Sequence, residues 1–227
     1  MSLLGKAALA MWWDIAPQFL PDFEHWHAHE HFPERLGIPG LRRTSRFTSA
    51  EGGEGIFVLY EHNDYGVLSS PGYLARLNAP SPWSVRMMPL HRNMVRSQCR
   101  VLESAGGLAA RHAVTVRLSP ADGRADELRG AVQALACRVV MQPGITGLHL
   151  LRHDTPKIDA TEEQRIRGLS DRVADWVLVA SGYDVACLKD LASSELGDVA
   201  LAAMGAAPGA QRGFYSLAYS AVAGDMQ

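Results

Sequence analysis

Four of the nine histidines, His25, His27, His29 and His31, fall in one short stretch that also holds Trp26, Glu30 and Glu34 and runs on to Arg42 and Arg43. A histidine beside a carboxylate is suited to proton transfer, because an ordinary pKa of about 6.5 leaves both of its forms populated near neutral pH. His31, with Glu30 or His27 nearby, could take a proton from an activated carbon or from a phenol. On a helix, at about 100° per residue, Phe23, Trp26, His27, Glu30 and Glu34 share one broad sector, His31 lies at its edge, and His25 and His29 fall on the other side. The four histidines therefore do not act as one cluster. The candidate catalytic residues are His31, Glu30 and His27. Competing with that reading is a structural one, in which His31 hydrogen-bonds a neighbouring strand while Trp26 and Phe32 pack the core.

His27 and His31, four residues apart on a helix, have the spacing to clamp a divalent ion. No third ligand is identifiable, and the pattern His-Glu-x-x-His is absent because Pro33 stands where the second histidine would be. Neither a metal nor any other cofactor is expected. Candidate ligand contacts are Trp26, Phe23, Arg43, Arg46 and Tyr60. Strand alternation sends Arg42 and Arg46 one way and Arg43 the other, so one side could meet an anionic ligand or form a solvated edge. Tyr60, His62 and Tyr65 could line a pocket mouth, whereas His149 and His153 read as ordinary sheet residues. Gly52-Gly53-Glu54-Gly55 precedes a strand rather than a helix, so it does not cradle a phosphate. There is no Gly-x-Ser-x-Gly elbow.

These side chains must be placed by an ordered series of elements. Lys6 to Ile15 reads as a buried strand, and the helix that follows, capped by Asp22, extends to Leu36 with Pro33 bending it and Gly37 closing it. After the turn Pro39-Gly40 come strands over Leu41 to Thr48 and Ile56 to Tyr60. A helical region from Ser70-Pro71, interrupted at Pro80, Pro82 and Pro89, leads to a strand over Cys99 to Glu103. The same order then begins again. Arg111 to Leu118 is a strand, and Asp122 to Met141 is a helix with Leu128, Val132, Leu135 and Val139 at helical spacing. Pro143-Gly144 repeats Pro39-Gly40. Strands at Leu148 to Arg152 and Trp176 to Ala180, a helix over Asp184 to Met204, and a strand over Gly213 to Val222 complete the chain. A charged insertion, about Asp154 to Asp171, reads as an exposed helix or a lid.

The 227 residues are 47% apolar, enough for a substantial core, and Lys plus Arg (22) nearly balance Asp plus Glu (24). That balance argues against a nucleic-acid partner, and no apolar run approaches the roughly 20 residues of a membrane span. Cys99, Cys137 and Cys187 are odd in number and far apart, which suits reduced, mostly buried thiols in a cytoplasmic protein. Two consecutive β-α-β-β-α-β units, residues 1–106 and 107–227, imply an α+β fold of tandem ferredoxin-like repeats. Each unit leaves one sheet face uncovered, and packing the two antiparallel sheets together forms a dimeric α/β-barrel within one chain. Such a chain can be a monomer, or a homodimer through its remaining surface.

Trp26, Glu30-His31-x-Pro33-Glu34, Pro39-Gly40-Leu41-Arg42 and Arg46 together resemble the N-terminal signature of the EthD-like branch of the dimeric α/β-barrel superfamily. The likeness is close over about 25 residues by number and follows element order elsewhere. The second half keeps Gln142-Pro143-Gly144 but has no His-x-Pro on its helix, which assigns any site to the first half. The resemblance implies a cofactor-independent oxygenase, isomerase or decarboxylase of a small apolar or aromatic metabolite, with His31 as acid or base. Haem, known in a distant branch, finds no axial ligand here. The alternative is a non-catalytic binding or assembly module in which the His-rich helix serves the fold.

Overall fold

The computed structural model describes residues 3–52, 55–155, 158–169 and 171–226. Strand β1 (Ala7–Asp14) leads through a short 3-10 turn, Pro17–Phe19, into helix α1 (Leu20–Trp26). A turn of π-helix, His27–His31, joins α1 to α2 (Phe32–Leu36) without a break. The hairpin of β2 (Leu41–Ser49) and β3 (Gly55–His62) follows. Helices α3 (Pro71–Asn78) and α4 (Pro82–Met87) both begin with proline after a serine, Ser70 or Ser81, whose hydroxyl accepts from the third backbone N–H beyond it. Proline's absent donor costs nothing at that position. Strand β4 (Arg92–Gly106) closes the first half.

The second half comprises β5 (His112–Leu118), α5 (Ala125–Val139), β6 (Ile145–His153), α6 (Glu162–Ile166), β7 (Trp176–Gly182), α7 (Val185–Ser193), α8 (Asp198–Met204) and β8 (Gln211–Val222). The eight strands pair in the order β1-β3-β2-β8-β5-β7-β6-β4 and close on themselves. The sheets of the two halves thus meet at their edges as well as across their faces. Antiparallel seams β2–β8 and β4–β6 join them, leaving no open strand edge in the barrel.

Alternation along each strand divides the molecule into an interior and an outer layer. Phe57 and Leu59 point into the barrel with Trp12, Phe47, Val177 and Val179. Ile56, Val58 and Tyr60 point outward, where α1 to α4 cover them with Phe23, Trp26, Phe32 and Leu77. A corresponding outer layer in the second half packs Leu128, Val132, Leu135 and Leu188 against Leu148, Leu150 and Leu178. The site described below lies in the first outer layer, so only outward-facing residues of β1 to β4 can reach it.

Several details depart from the sequence-based expectation. Asp22 lies in the first turn of α1 rather than at its cap, because the helix starts at Leu20. Strand β4 begins at Arg92, well before Cys99. Its polar residues Arg92, Asn93, Arg96 and Gln98 hide the strand pattern, and pairing with β1 imposes it. The helix expected over Asp184 to Met204 breaks at Ser194 to Gly197, with Gly197 capping α8. Cys99 is buried, Cys187 only partly, and Cys137 is exposed. Pro39-Gly40 and Pro143-Gly144 do occupy equivalent turns, and Gly40 and Gly144 adopt φ of 93° and 88°, a region glycine enters without strain. Among the described residues no helix is long and apolar enough to cross a membrane.

Candidate functional site

The π-turn is what sets the site. The Phe32 N–H donates to the carbonyl of His27, five residues back rather than four. Pro33 has no N–H and its ring crowds the carbonyl of the preceding turn, so a widened turn accommodates it with less strain than a regular one. The extra residue changes which side chains face inward. His27, His31, Phe32, Arg35 and Leu36 are buried, while Glu30 and Glu34, expected on the His27 face, move to its flank. The His27 and His31 rings stack with centroids 5.3 Å apart and an interplanar angle of 16°. Phe32 lies 4.2 Å from His27, and Trp26 4.5 Å from His31.

Between this helix and the outward faces of β1, β3 and β4 is a cavity. The helix contributes Trp26, His27, His31 and Arg35, and the strands contribute Leu9, Met11 and Trp13 from β1, Tyr60 and His62 from β3, and Met94 and Arg96 from β4. Tyr73 and Leu77 of α3 form one side, Met88 and His91 another, and Glu163 and Arg167 from the insertion complete the lining. The cavity is small, with a volume of about 40 Å³. That is room for about two or three waters. An aromatic ring needs side chains to shift, and Met11, Met88 and Met94 are of the type that repacks most easily.

Burial dominates the electrostatics. His31 is held well below its ordinary pKa by burial, then by the Arg35 charge and by His27; His27 is lowered by burial and by Arg46. His62 falls to about 4 and His91 to about 3, in both cases mainly through burial. All four imidazoles are therefore neutral at pH 7 and able to accept a proton. The Nδ1 of His31 and both ring nitrogens of His91 are buried without a hydrogen-bond partner among the described residues. Burial pushes the Tyr60 phenol up, so it stays protonated, with its hydroxyl 3.4 Å from the Nε2 of His27. Arg35 forms a buried ion pair with Glu163, which keeps its guanidinium charged although burial opposes that charge. Arg96 donates to the Tyr73 hydroxyl at 3.0 Å, and Arg167 pairs with Asp171 at 2.9 Å.

Of the residues singled out from the sequence, His27, His31, Trp26 and Tyr60 line the cavity, together with His62. Glu30 lies outside it. Its carboxylate accepts from the Trp26 indole at 3.1 Å and from the Ser81 hydroxyl, and so orients Trp26 rather than His31. Phe23 is buried behind Trp26 and His27, while Arg46 lies over the Phe23 ring and donates to the Glu24 carbonyl and carboxylate. Arg43 faces the barrel interior and pairs with the fully buried Glu61 at 2.6 Å. Tyr65 donates to the Asp154 carbonyl, away from the cavity. His149 is likewise inside the barrel, its Nδ1 2.8 Å from the Ser104 hydroxyl. Among the described residues no three metal-ligating side chains converge.

Sequence reasoning did not assign Arg35, Tyr73, His91, Arg96, Glu163 or Arg167 to a site. A signal existed for Arg35 alone, one turn beyond His31 in the direction of the helix. Glu163 and Arg167 belong to a segment whose charge density suggested solvent, yet Glu163 is 6% exposed.

No family profile and no curated protein matches the sequence. Solved structures do match its fold. An anthrone oxidase-like protein superposes with a TM-score of 0.65 at 12% identity, covering 100% of this chain and 98% of its own. A provisionally named monooxygenase of Fusobacterium nucleatum gives 0.64 at 9% identity, covering 97% and 96%. Another from Lactobacillus acidophilus gives 0.61 at 7%, covering 96% and 97%. The fold is thus the ferredoxin-like, dimeric α/β-barrel architecture seen in monooxygenase-type proteins.

Proposed function

We propose that this protein is a cofactor-independent enzyme that binds a small aromatic molecule in the first-half cavity and removes a proton from it, with His31 as the base. The observation that carries the reading is the cavity itself, where neutral imidazoles with unpartnered ring nitrogens are enclosed by Trp13, Trp26, Tyr60 and Tyr73. A neutral His31 accepts the proton through a ring nitrogen. Its imidazolium is disfavoured by burial, so it returns the proton readily, and the charge developing on the substrate is stabilised by Arg35, whose Nη1 is buried and unpartnered. His27, sandwiched between Phe23 and Phe32, positions His31 by stacking.

An aromatic carbon acid of the anthrone kind, deprotonated between its rings, is the substrate class suggested by the name of one fold neighbour, the anthrone oxidase-like protein. Reaction of such a carbanion with dioxygen is oxygenation, and return of the proton at another carbon is isomerisation. Membership of the EthD-like branch is part of this proposal, supported by Glu30-His31-x-Pro33 and Pro39-Gly40 in the opening stretch. The test is exchange of the acidic carbon-bound hydrogen of anthrone into D2O without dioxygen, compared between wild type and His31→Ala.

A further inference from the structure

The insertion between β6 and β7 brings a carboxylate into a cavity whose other charged lining residues, among those described, are arginines. Arg35, Arg96 and Arg167 line the space, and Glu163 is the one acid among the described residues that does. Asp171 accompanies Arg167 from outside the lining. Arg35 is 4% exposed, and while one of its terminal nitrogens donates to Glu163, the other has no partner among the described residues. Arg96 is held only by a phenol, the Tyr73 hydroxyl, which leaves its charge without a counter-ion among the described residues. A guanidinium presents donors in a planar fork that matches a carboxylate in two-point contact. Here half of that fork is used.

Glu163 sits on a much shorter element than the arginine it serves. Arg35 projects from the helix that packs on the barrel, whereas Glu163 sits on α6, five residues long, held by the Thr161–Gln164 capping box and by the Glu162 N–H donating to Asn78 Oδ1 at 3.0 Å. The other deeply buried carboxylate among the described residues, Glu61, is committed to Arg43 within the barrel and is not available to this cavity.

We propose that the molecule bound here is an aromatic carboxylate, whose carboxylate group binds Arg35 in the place Glu163 occupies when the cavity is empty. This deepens the preceding reading and rests on it: the rings lie among Trp13, Trp26 and Tyr60 and the anionic end sets their orientation relative to His31. Glu163 then acts as a built-in competitor, and on binding a neutral molecule of the same shape gains no such ion pair with Arg35.

The experiment is isothermal titration calorimetry at pH 7 with 2-naphthoate and its neutral isostere 2-naphthamide, on wild type, Glu163→Gln and the double variant Arg35→Gln/Glu163→Gln, each checked for fold by circular dichroism. Wild type should prefer the carboxylate by about tenfold, the size of one charge-assisted contact. Glu163→Gln, which keeps a hydrogen-bonding group for Arg35 but removes the competing charge, should raise naphthoate affinity by about a further tenfold and change that for naphthamide little. The double variant should lose the preference. Equal affinity for the two compounds in wild type and in Glu163→Gln, or a preference that survives in the double variant, would overturn the proposal while leaving the cavity as an aromatic site. Binding of neither compound to any form would overturn both.

Discussion

Acidification should unfold this protein through its buried histidines. His62 and His149 are held near 4 and His91 near 3, chiefly by burial, against about 6.5 in the unfolded chain. Between those values the unfolded state binds the proton and the folded state does not. Stability from these groups is therefore complete above about pH 6.5 and is lost as the pH falls toward the folded pKa. Each group contributes a slope of about 1.4 kcal/mol per pH unit. From pH 6.5 to 5 each removes on the order of 2 kcal/mol, roughly 6 kcal/mol for the three, comparable with the whole stability of an ordinary domain. His27 and His31 are lowered as well and act in the same direction. Urea unfolding followed by circular dichroism from pH 8 to 5 should give a flat stability above about pH 7 and a steep fall below it. His91→Phe keeps a ring for the edge contacts with Trp13 and Phe23 and deletes one titrating group. Its slope should be smaller by about 1.4 kcal/mol per pH unit. A wild-type stability unchanged between pH 7 and 5, or an identical slope in His91→Phe, would mean that these buried imidazoles do not set the acid stability.

Two further outcomes follow from single contacts. Glu163→Ala leaves the Arg35 charge buried alone and should cost about 3–5 kcal/mol, a fall in Tm of roughly 6–20 °C at this chain length; Arg35→Met/Glu163→Leu should recover most of it, as calorimetry can show. Gly144→Ala forces a side chain into φ of 88° with its Cβ 2.5 Å from the Cys187 sulfur and should cost about 1–3 kcal/mol, whereas Gly52→Ala, at φ of 80° with nothing within 4 Å of its Cβ, should cost only about 1 kcal/mol.

The barrel was legible in the sequence because its elements are locally consistent. Ile56 to Tyr60 can only be a strand, Leu128 to Val139 repeats at helical spacing, and the two Pro-Gly turns fall at matching points of the two halves. The seams were legible only by inference, since nothing local in β2 or β8 says that they pair. Of the residues lining the cavity, His27, His31 and Trp26 were singled out in the sequence because one stretch concentrates them. The roles of Glu30 and Arg35 were not, because a uniform 100° rotation assumes a regular helix and the π-turn inserts a residue between them. Arg43 and Glu61 were invisible as a pair, since only the barrel's closure makes that face an interior. Glu163 illustrates the opposite failure: an acidic residue in a charged segment reads as solvated until the buried arginine opposite it is known.

Anaerobic hydrogen exchange shows directly whether His31 is a base facing an aromatic ligand. With anthrone in D2O, proton NMR should show wild-type protein accelerating loss of the acidic carbon-bound hydrogen, and His31→Ala should reduce that acceleration by about 10²–10⁴-fold with Tm within a few degrees of wild type. Exchange that is undiminished in a folded His31→Ala protein, or no acceleration by wild type across aromatic carbon acids that bind, would contradict that role for His31.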